Sequence, residues 1–210
     1  MTMKPGFTAI LITLALSGCS IQSPKPSWIT SSQKDQFTDK TSCTIQLAKY
    51  YTRTSAYTQT GEYYPFISMV DNQLRVGVRS GGRALIPVGD VQLRIDSNPA
   101  WNITTAETPI DSSAATNYQL PSYTNLTSEQ QALIAETQKS AMASITKTMS
   151  PYTATTGDKA QKIIQQLISG NKLIYRTVGL NQTGSTTGEY DLASMKESLI
   201  AGLNQCGIKY

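Results

Sequence analysis

The stretch Pro87–Asp96, PVGDVQLRID, constrains the fold more than any other part of the chain. Val91, Leu93 and Ile95 alternate with Gln92, Arg94 and Asp96. Successive side chains of a strand point to opposite faces, so one side of this run is apolar and the other polar. Such a segment settles as a half-buried strand, with water on one side and a core on the other. Pro87 and Gly89 place a kink or break before it.

The neighbouring sequence supplies partners for that strand. CTIQLAKYYTR (43–53) alternates in part. YYPFISMV and QLRVGVRS flank Asp71-Asn72, which reads as a hairpin with a short polar turn. Gly81-Gly82, between Arg79 and Arg83, marks a second turn. After Ser97-Asn98-Pro99, AWNITTAE reads as a return strand, and KLIYRTVGL is a later one.

Beyond a Pro-, Ser-, Thr- and Asn-rich loop at 107–125 the periodicity becomes helical. Thr127 with Gln130 fits a capping box for a helix near 128–149, with Ile134, Met142, Ile145 and Met149 close to one face and Pro151 as its stop. Asp158 is expected to cap KAQKIIQQLIS, which would bury Ile163, Ile164, Leu167 and Ile168, with Gly170 in a left-handed position at its end. Asp191 is expected to cap a last helix with Leu192, Met195, Leu199 and Leu203 inward. The order predicts an α+β fold: an antiparallel sheet or sandwich in the N-terminal half, packed by C-terminal helices. The expected body is a single domain over residues 40–210, long enough to bury a core.

Composition narrows the function classes. Only 15% of the 210 residues are charged and the net charge is +4, with the basic residues scattered rather than clustered. A nucleic-acid surface is normally a basic patch, so none is expected. There is no histidine, which removes the commonest general base near neutral pH and the commonest metal ligand.

The N-terminus reads as an address. After Lys4, the run FTAILITLAL (7–16) is uncharged and apolar, the length of a signal-peptide core and shorter than a membrane span. It ends in Leu16-Ser17-Gly18-Cys19. This resembles the lipobox of bacterial lipoprotein signal peptides. The resemblance implies cleavage after residue 18, a diacylglycerol on the Cys19 thiol and an acyl chain, such as palmitate, on its new amine. Ser20, not Asp, follows Cys19, which in such proteins implies the outer membrane, with the body on the periplasmic face. Residues 19–39, with Pro24, Pro26 and several serines, are then a flexible lipidated tether, with Trp28 as a docking or interfacial aromatic.

Three cysteines are an odd number for an exported chain. With Cys19 acylated, Cys43 and Cys206 remain, and an oxidising compartment favours a disulfide between them. The pairing would tie the last helix to the first strand of the body.

Chemical motifs are sparse. No nucleophile elbow, phosphate loop or zinc-protease pair occurs, and without histidine or spare cysteine the usual zinc sites are excluded. No cofactor is implied. S-x-x-K occurs as Ser144-Ile-Thr-Lys147 and Ser31-Ser-Gln-Lys34, the spacing used by serine acyltransferases, and Tyr123-Thr-Asn125 could stand for a second motif. The third, K-T-G, is missing. Arg79 and Arg83 around the glycine pair could hold an anion, and Tyr50, Tyr51, Tyr57, Tyr63 and Tyr64 could line a binding face.

The order of a Cys-bearing strand, PVGDVQLRID, a helix, a strand and a capped helix resembles proteins of the invasion-associated locus B type over residues 43–205. The resemblance implies a small periplasmic β-sandwich-like body without known catalysis; that family's internal cysteine pattern is not reproduced. The expected function is a non-enzymatic, lipid-anchored envelope lipoprotein that binds a ligand or an envelope protein, its membrane contact made by the lipid. The alternatives are a serine/lysine acyl-transfer enzyme and a host or surface interaction factor.

Overall fold

The computed structural model describes residues 25–37, 39–52, 56–110, 126–178 and 185–210, and the architecture below refers to these. In chain order, β1 (Ser27–Lys34), β2 (Thr41–Ala48), β3 (Tyr50–Tyr51), β4 (Ala56–Tyr57), β5 (Tyr63–Val70), β6 (Gln73–Ser80), β7 (Asp90–Ile95) and β8 (Trp101–Ile103) precede helix α1 (Ser128–Thr148). Then come β9 (Tyr152–Thr155), α2 (Gly157–Ser169), β10 (Lys172–Val178), β11 (Ser185–Asp191) and α3 (Lys196–Gln205). Two large antiparallel sheets result, a five-stranded one in the order β1-β2-β5-β6-β9 and a four-stranded one in the order β11-β10-β7-β8, and β3 and β4 pair as a small two-stranded one. With helices following them in the second half, the fold is α+β.

Alternation decides which sides meet. In the larger sheet Ile45 sits beside Ile67 and Ile67 beside Val76, all within the core. In the smaller sheet Val91, Leu93 and Ile95 are buried, and Leu173 and Tyr175 of β10 lie opposite Ile95 and Leu93. Between them α2 buries Ala160, Ile163, Ile164 and Leu167, the spacing of one helix face. Helix α3 adds Leu199 and Leu203, so both sheets and two helices share one hydrophobic core. Each fully buried Leu or Ile contributes about 1.5–3 kcal/mol. The β5–β6 hairpin turns at Asp71 and Asn72, both at positive φ (49° and 61°), the geometry that continues strand twist.

Cys43 of β2 and Cys206, at the C-terminal end of α3, form a disulfide with S–S 2.03 Å and Cα–Cα 5.5 Å. The helix lies close enough that a Cβ on Gly202 would stand 2.7 Å from Thr30 Oγ1 and 2.9 Å from Ile45 Cγ2. The staple therefore joins surfaces already in contact.

Several expectations are corrected. Residues 27–34, read as tether, form edge strand β1, paired along its whole length with β2. Trp28 is 3% exposed and faces the core, and its backbone amide donates to Ser198 Oγ. Burial of one tryptophan outweighs the weak strand signal of the polar residues after it. Gly170 is extended (φ −82°, ψ 169°), not left-handed. It is needed because a Cβ there would meet Ile95 Cγ2 at 2.3 Å. Thr156, not Asp158, is the N-cap of α2, and Asp158 lies in its first turn. Asp191 ends β11 and caps no helix: it accepts from the Ala193 amide, while Leu192 is the N-cap of the 3-10 turn Ala193–Met195 and Met195 that of α3.

Helix α1 has the expected capping box, with Thr127 Oγ1 accepting from the Gln130 amide. It buries none of its residues: Leu133, Ile145 and Met149 are exposed. Its apolar positions are too scattered among Ala, Ser, Thr and Gln to make a core-seeking stripe. The return strand after Pro99 is only Trp101–Ile103, followed by a 3-10 turn at Thr105–Glu107. The short β9 and the polar β11 are elements the sequence pattern did not reveal.

Candidate functional site

Strand alternation also decides what the outer side of the five-stranded sheet carries. Ser31, Thr44, Ser68 and Arg75 stand in one cross-strand row. Gln46, Phe66, Gly77 and Ala154 form the next, and Tyr64, Arg79 and Tyr152 the third. On this face lies an open groove of about 890 Å³, lined by Gln33, Ser42, Thr44, Ser68, Gln73, Arg75, Arg79, Phe66 and Tyr152 among others.

At one end two guanidinium groups surround an aromatic pair. Phe66 and Tyr152 meet edge to face at 5.9 Å between centroids. Arg79 Cζ lies 5.9 Å from the Phe66 centroid, and Arg75 Cζ 6.0 Å from that of Tyr152. Arg75, 7% exposed, donates to Gln73 Oε1 at 3.3 Å and to the Tyr152 hydroxyl at 3.1 Å. The Tyr152 hydroxyl in turn donates to the Pro109 carbonyl at 2.9 Å. Cation–π contact with an aromatic face partly replaces the water these cations lose.

Arg79 differs from Arg75. Its guanidinium makes no ion pair with any described residue. Burial lowers its pKa, with the Tyr152 phenol acting in the opposite sense. Arginine stays protonated in proteins, so it holds anions rather than relaying protons. The far end of the groove is mixed in charge, with Lys40 paired to Asp71 at 3.0 Å.

The residues singled out from sequence fare unequally. Arg79 lines the groove and Arg83 does not; Arg83 is exposed in the following loop. The glycine pair is no anion nest. Gly81 N donates to the Glu62 carbonyl at 2.9 Å, and Gly82 N to Thr58 Oγ1 at 2.9 Å. A Cβ on Gly81 would stand 2.5 Å from the Tyr64 ring, so this turn is a packed corner. Of the early tyrosines, Tyr51, Tyr57, Tyr63 and Tyr64 do not line the groove either. Tyr64 is buried and donates to Glu62 Oε2 at 2.6 Å. Burial first, then that hydrogen bond, pushes its pKa up to about 12.

Ser144 and Lys147 border a separate 300 Å³ depression between α1 and the turn at residues 105–106. There the Lys147 ammonium donates to the Ala106 carbonyl, tying the helix to the turn. Ser31 and Lys34 lie on β1, where residues three apart face opposite sides, and Lys34 pairs with Asp39 at 2.8 Å. Cys19, Tyr123 and Asn125 lie outside the described residues. Among the described residues no group of three or more His, Cys, Asp or Glu is placed to hold a metal ion.

Arg75 went unmarked in the sequence, although the signal was present. In QLRVGVRS, Arg75, Gly77 and Arg79 share one strand face by the same alternation that reveals β7. Tyr152 carried no such signal, because β9 is only four residues long. Comparison with protein-family models, with curated proteins and with solved structures finds no match.

Proposed function

We propose that this chain is a lipid-anchored protein of the bacterial cell envelope whose body binds a ligand on the outer face of the five-stranded sheet. The anchor is Cys19, acylated after removal of residues 1–18. The site of attachment is the periplasmic face of the outer membrane. Because β1 begins at Ser27, the tether is reduced to residues 19–26. Among the described residues no helix is long and apolar enough to cross a membrane. The Cys43–Cys206 bridge supports an oxidising compartment.

The observation that carries the binding role is Arg79. A guanidinium partly removed from water, stacked on Phe66 and without a carboxylate partner among the described residues, is charge awaiting a counter-ion. A purely structural arginine in such a place would normally be paired. The groove beside it is large enough for a small ligand.

Two measurements test the reading. Intact-mass analysis of the chain purified from a Gram-negative envelope should show loss of residues 1–18 and an acyl mass that Cys19→Ser abolishes. A photo-crosslinking residue at position 44, half-buried in the groove, illuminated in intact cells, should yield an adduct that the same residue at exposed position 94, on the other sheet, does not. Retention of residues 1–18 refutes the anchor, and equal adducts at both positions refute the binding face.

A further inference from the structure

Short of its far end, where Asp35, Lys40 and Asp71 mix charges, the groove has two chemically distinct parts, and together they specify a ligand. One part is the cationic end at Arg79 and Arg75. The other is a track of short neutral side chains. Thr44 and Ser68, the latter 3% exposed at the groove floor, present hydroxyls from adjacent strands in the row that ends at Arg75. The next row presents Gln33, Ser42 and Gln73 around Val70. Hydroxyls and amides both donate and accept, so they suit a partner dense in groups that do the same. Few apolar side chains contribute, chiefly Val70 and Ile110 beside the covered ring of Phe66.

A peptide is the poorer match. Extended peptides bind sheets by adding a strand to an edge, where backbone groups are free. The groove runs mainly over β2, β5 and β6, each of which has a neighbour on both sides, and reaches the edge strands β1 and β9 at Gln33 and Tyr152. Its floor offers side chains and no backbone ladder. A peptide would also need pockets for alternate side chains, and the short Ser and Thr residues make none. A polyol needs neither.

We infer that the groove takes an acidic oligosaccharide, with its oxyanion on Arg79 and its sugar hydroxyls along Thr44, Ser68, Gln33 and Gln73. This inference rests on the binding role proposed above. The oxyanion is a carboxylate or a phosphate monoester, since a guanidinium fork matches either through paired hydrogen bonds. Arg75, held by Gln73 and Tyr152, adds charge beside the fork and fixes the aromatic wall. Gly77, between the two arginines on their face, lets β9 lie against β6 at this end of the groove; a Cβ there would meet the Thr153 carbonyl.

The test uses the acylated protein in detergent and isothermal titration calorimetry. The probes are an oligogalacturonide, its carboxyl-reduced neutral counterpart, an oligosaccharide bearing a phosphate monoester, inorganic phosphate, and a short neutral peptide with a free C-terminal carboxylate. One or both acidic sugars should bind, and whichever binds identifies the oxyanion. The neutral sugar should bind at least about tenfold more weakly, the size of effect expected for one charge-assisted hydrogen-bonded contact. Arg79→Gln should cost a similar factor, and Arg79→Lys less, because it keeps the charge and loses the fork. Ser68→Ala, which threatens the fold little, should weaken sugar binding without affecting its preference for the anion.

Equal binding of neutral and acidic sugars overturns the assignment of the anion. Phosphate or the peptide binding as well as the acidic sugar overturns the polyol. Acidic-sugar binding indifferent to both Arg79→Gln and Ser68→Ala places it elsewhere and overturns the site. In these cases, and where no sugar binds, a specific adduct at position 44 leaves the binding role standing while the ligand class falls. Without that adduct, both fall.

Discussion

Breaking the Cys43–Cys206 bridge should destabilise the protein through its unfolded state. The two residues are 163 apart in sequence, so the bridge closes nearly all of the body into one loop. Chain-entropy arithmetic for a loop of that size gives about 5 kcal/mol at 25 °C. The native state should change little when the bridge is gone. Leu199 and Leu203 seat α3 in the core, and Gly202 lets it sit against Thr30 and Ile45, all without the sulfurs. The double variant Cys43→Ser/Cys206→Ser should therefore keep the wild-type far-ultraviolet dichroism. With a urea m-value of about 2 kcal/mol per M, its unfolding midpoint should fall by about 2.5 M.

A second cycle separates this account from its rival. Leu203→Ala removes a fully buried side chain from α3 and should cost about 2–5 kcal/mol. If the bridge acts on the unfolded ensemble, the costs of the two changes add within about 0.5 kcal/mol. If it acts by clamping a poorly seated helix, they couple strongly, since both loosen the same element. A midpoint shift under about 0.5 M, or a coupling above about 1 kcal/mol, refutes the reasoning.

Three further predictions concern other parts of the frame. Glu107 feels burial, which would raise its pKa, but the Lys159 ammonium and hydrogen bonds from Thr104 and Thr155 outweigh it and hold the carboxyl below its ordinary value. Its contribution is present above the unfolded pKa and lost as pH falls through the folded one, so Glu107→Gln should cost about 1–2 kcal/mol at neutral pH and little in strong acid, by urea unfolding at each pH. The phenol of Tyr190 is pushed up to about 12, first by burial and then by the Glu62 carboxylate. A raised phenol stabilises fully below the unfolded value near 10 and loses that contribution as pH rises toward about 12; Tyr190→Phe should remove the corresponding late step in an ultraviolet titration. Gly170→Ala places a Cβ 2.3 Å from Ile95 Cγ2 and should cost about 1–3 kcal/mol in thermal unfolding.

The fold was legible wherever a period was clean. The β5–β6 hairpin, β7, β10 and the inward residues of α2 and α3 all follow from alternation or helical spacing. The rest depended on contacts between distant segments. β1 is mostly polar and becomes a strand because Trp28 reaches the core and β2 offers it an edge. β11, STTGEYD, has no apolar face; it is held by β10 and by Tyr190, which stacks on Tyr175 at 6.2 Å. Helix α1 shows the opposite error: its cap was readable, and no core position follows from it.

The same asymmetry explains the site. Alternation sorts Arg75, Gly77 and Arg79 onto one side of β6 and Val76 and Val78 onto the other. It identifies the polar side without saying whether that side is flat and wet or hollow and partly dry. The answer comes from Tyr152, which reaches β6 from a strand 70 or so residues later and walls the arginines in with Phe66. A polar face read from sequence alone is ordinarily assigned to solvent, and solvent would leave Arg79 hydrated and unremarkable. Once β9 is in place, the cation is stacked on a ring and stripped of part of its water, while no described carboxylate compensates it. The energetic cost of that arrangement is carried by the rest of the core, and a ligand oxyanion is the group that would offset it.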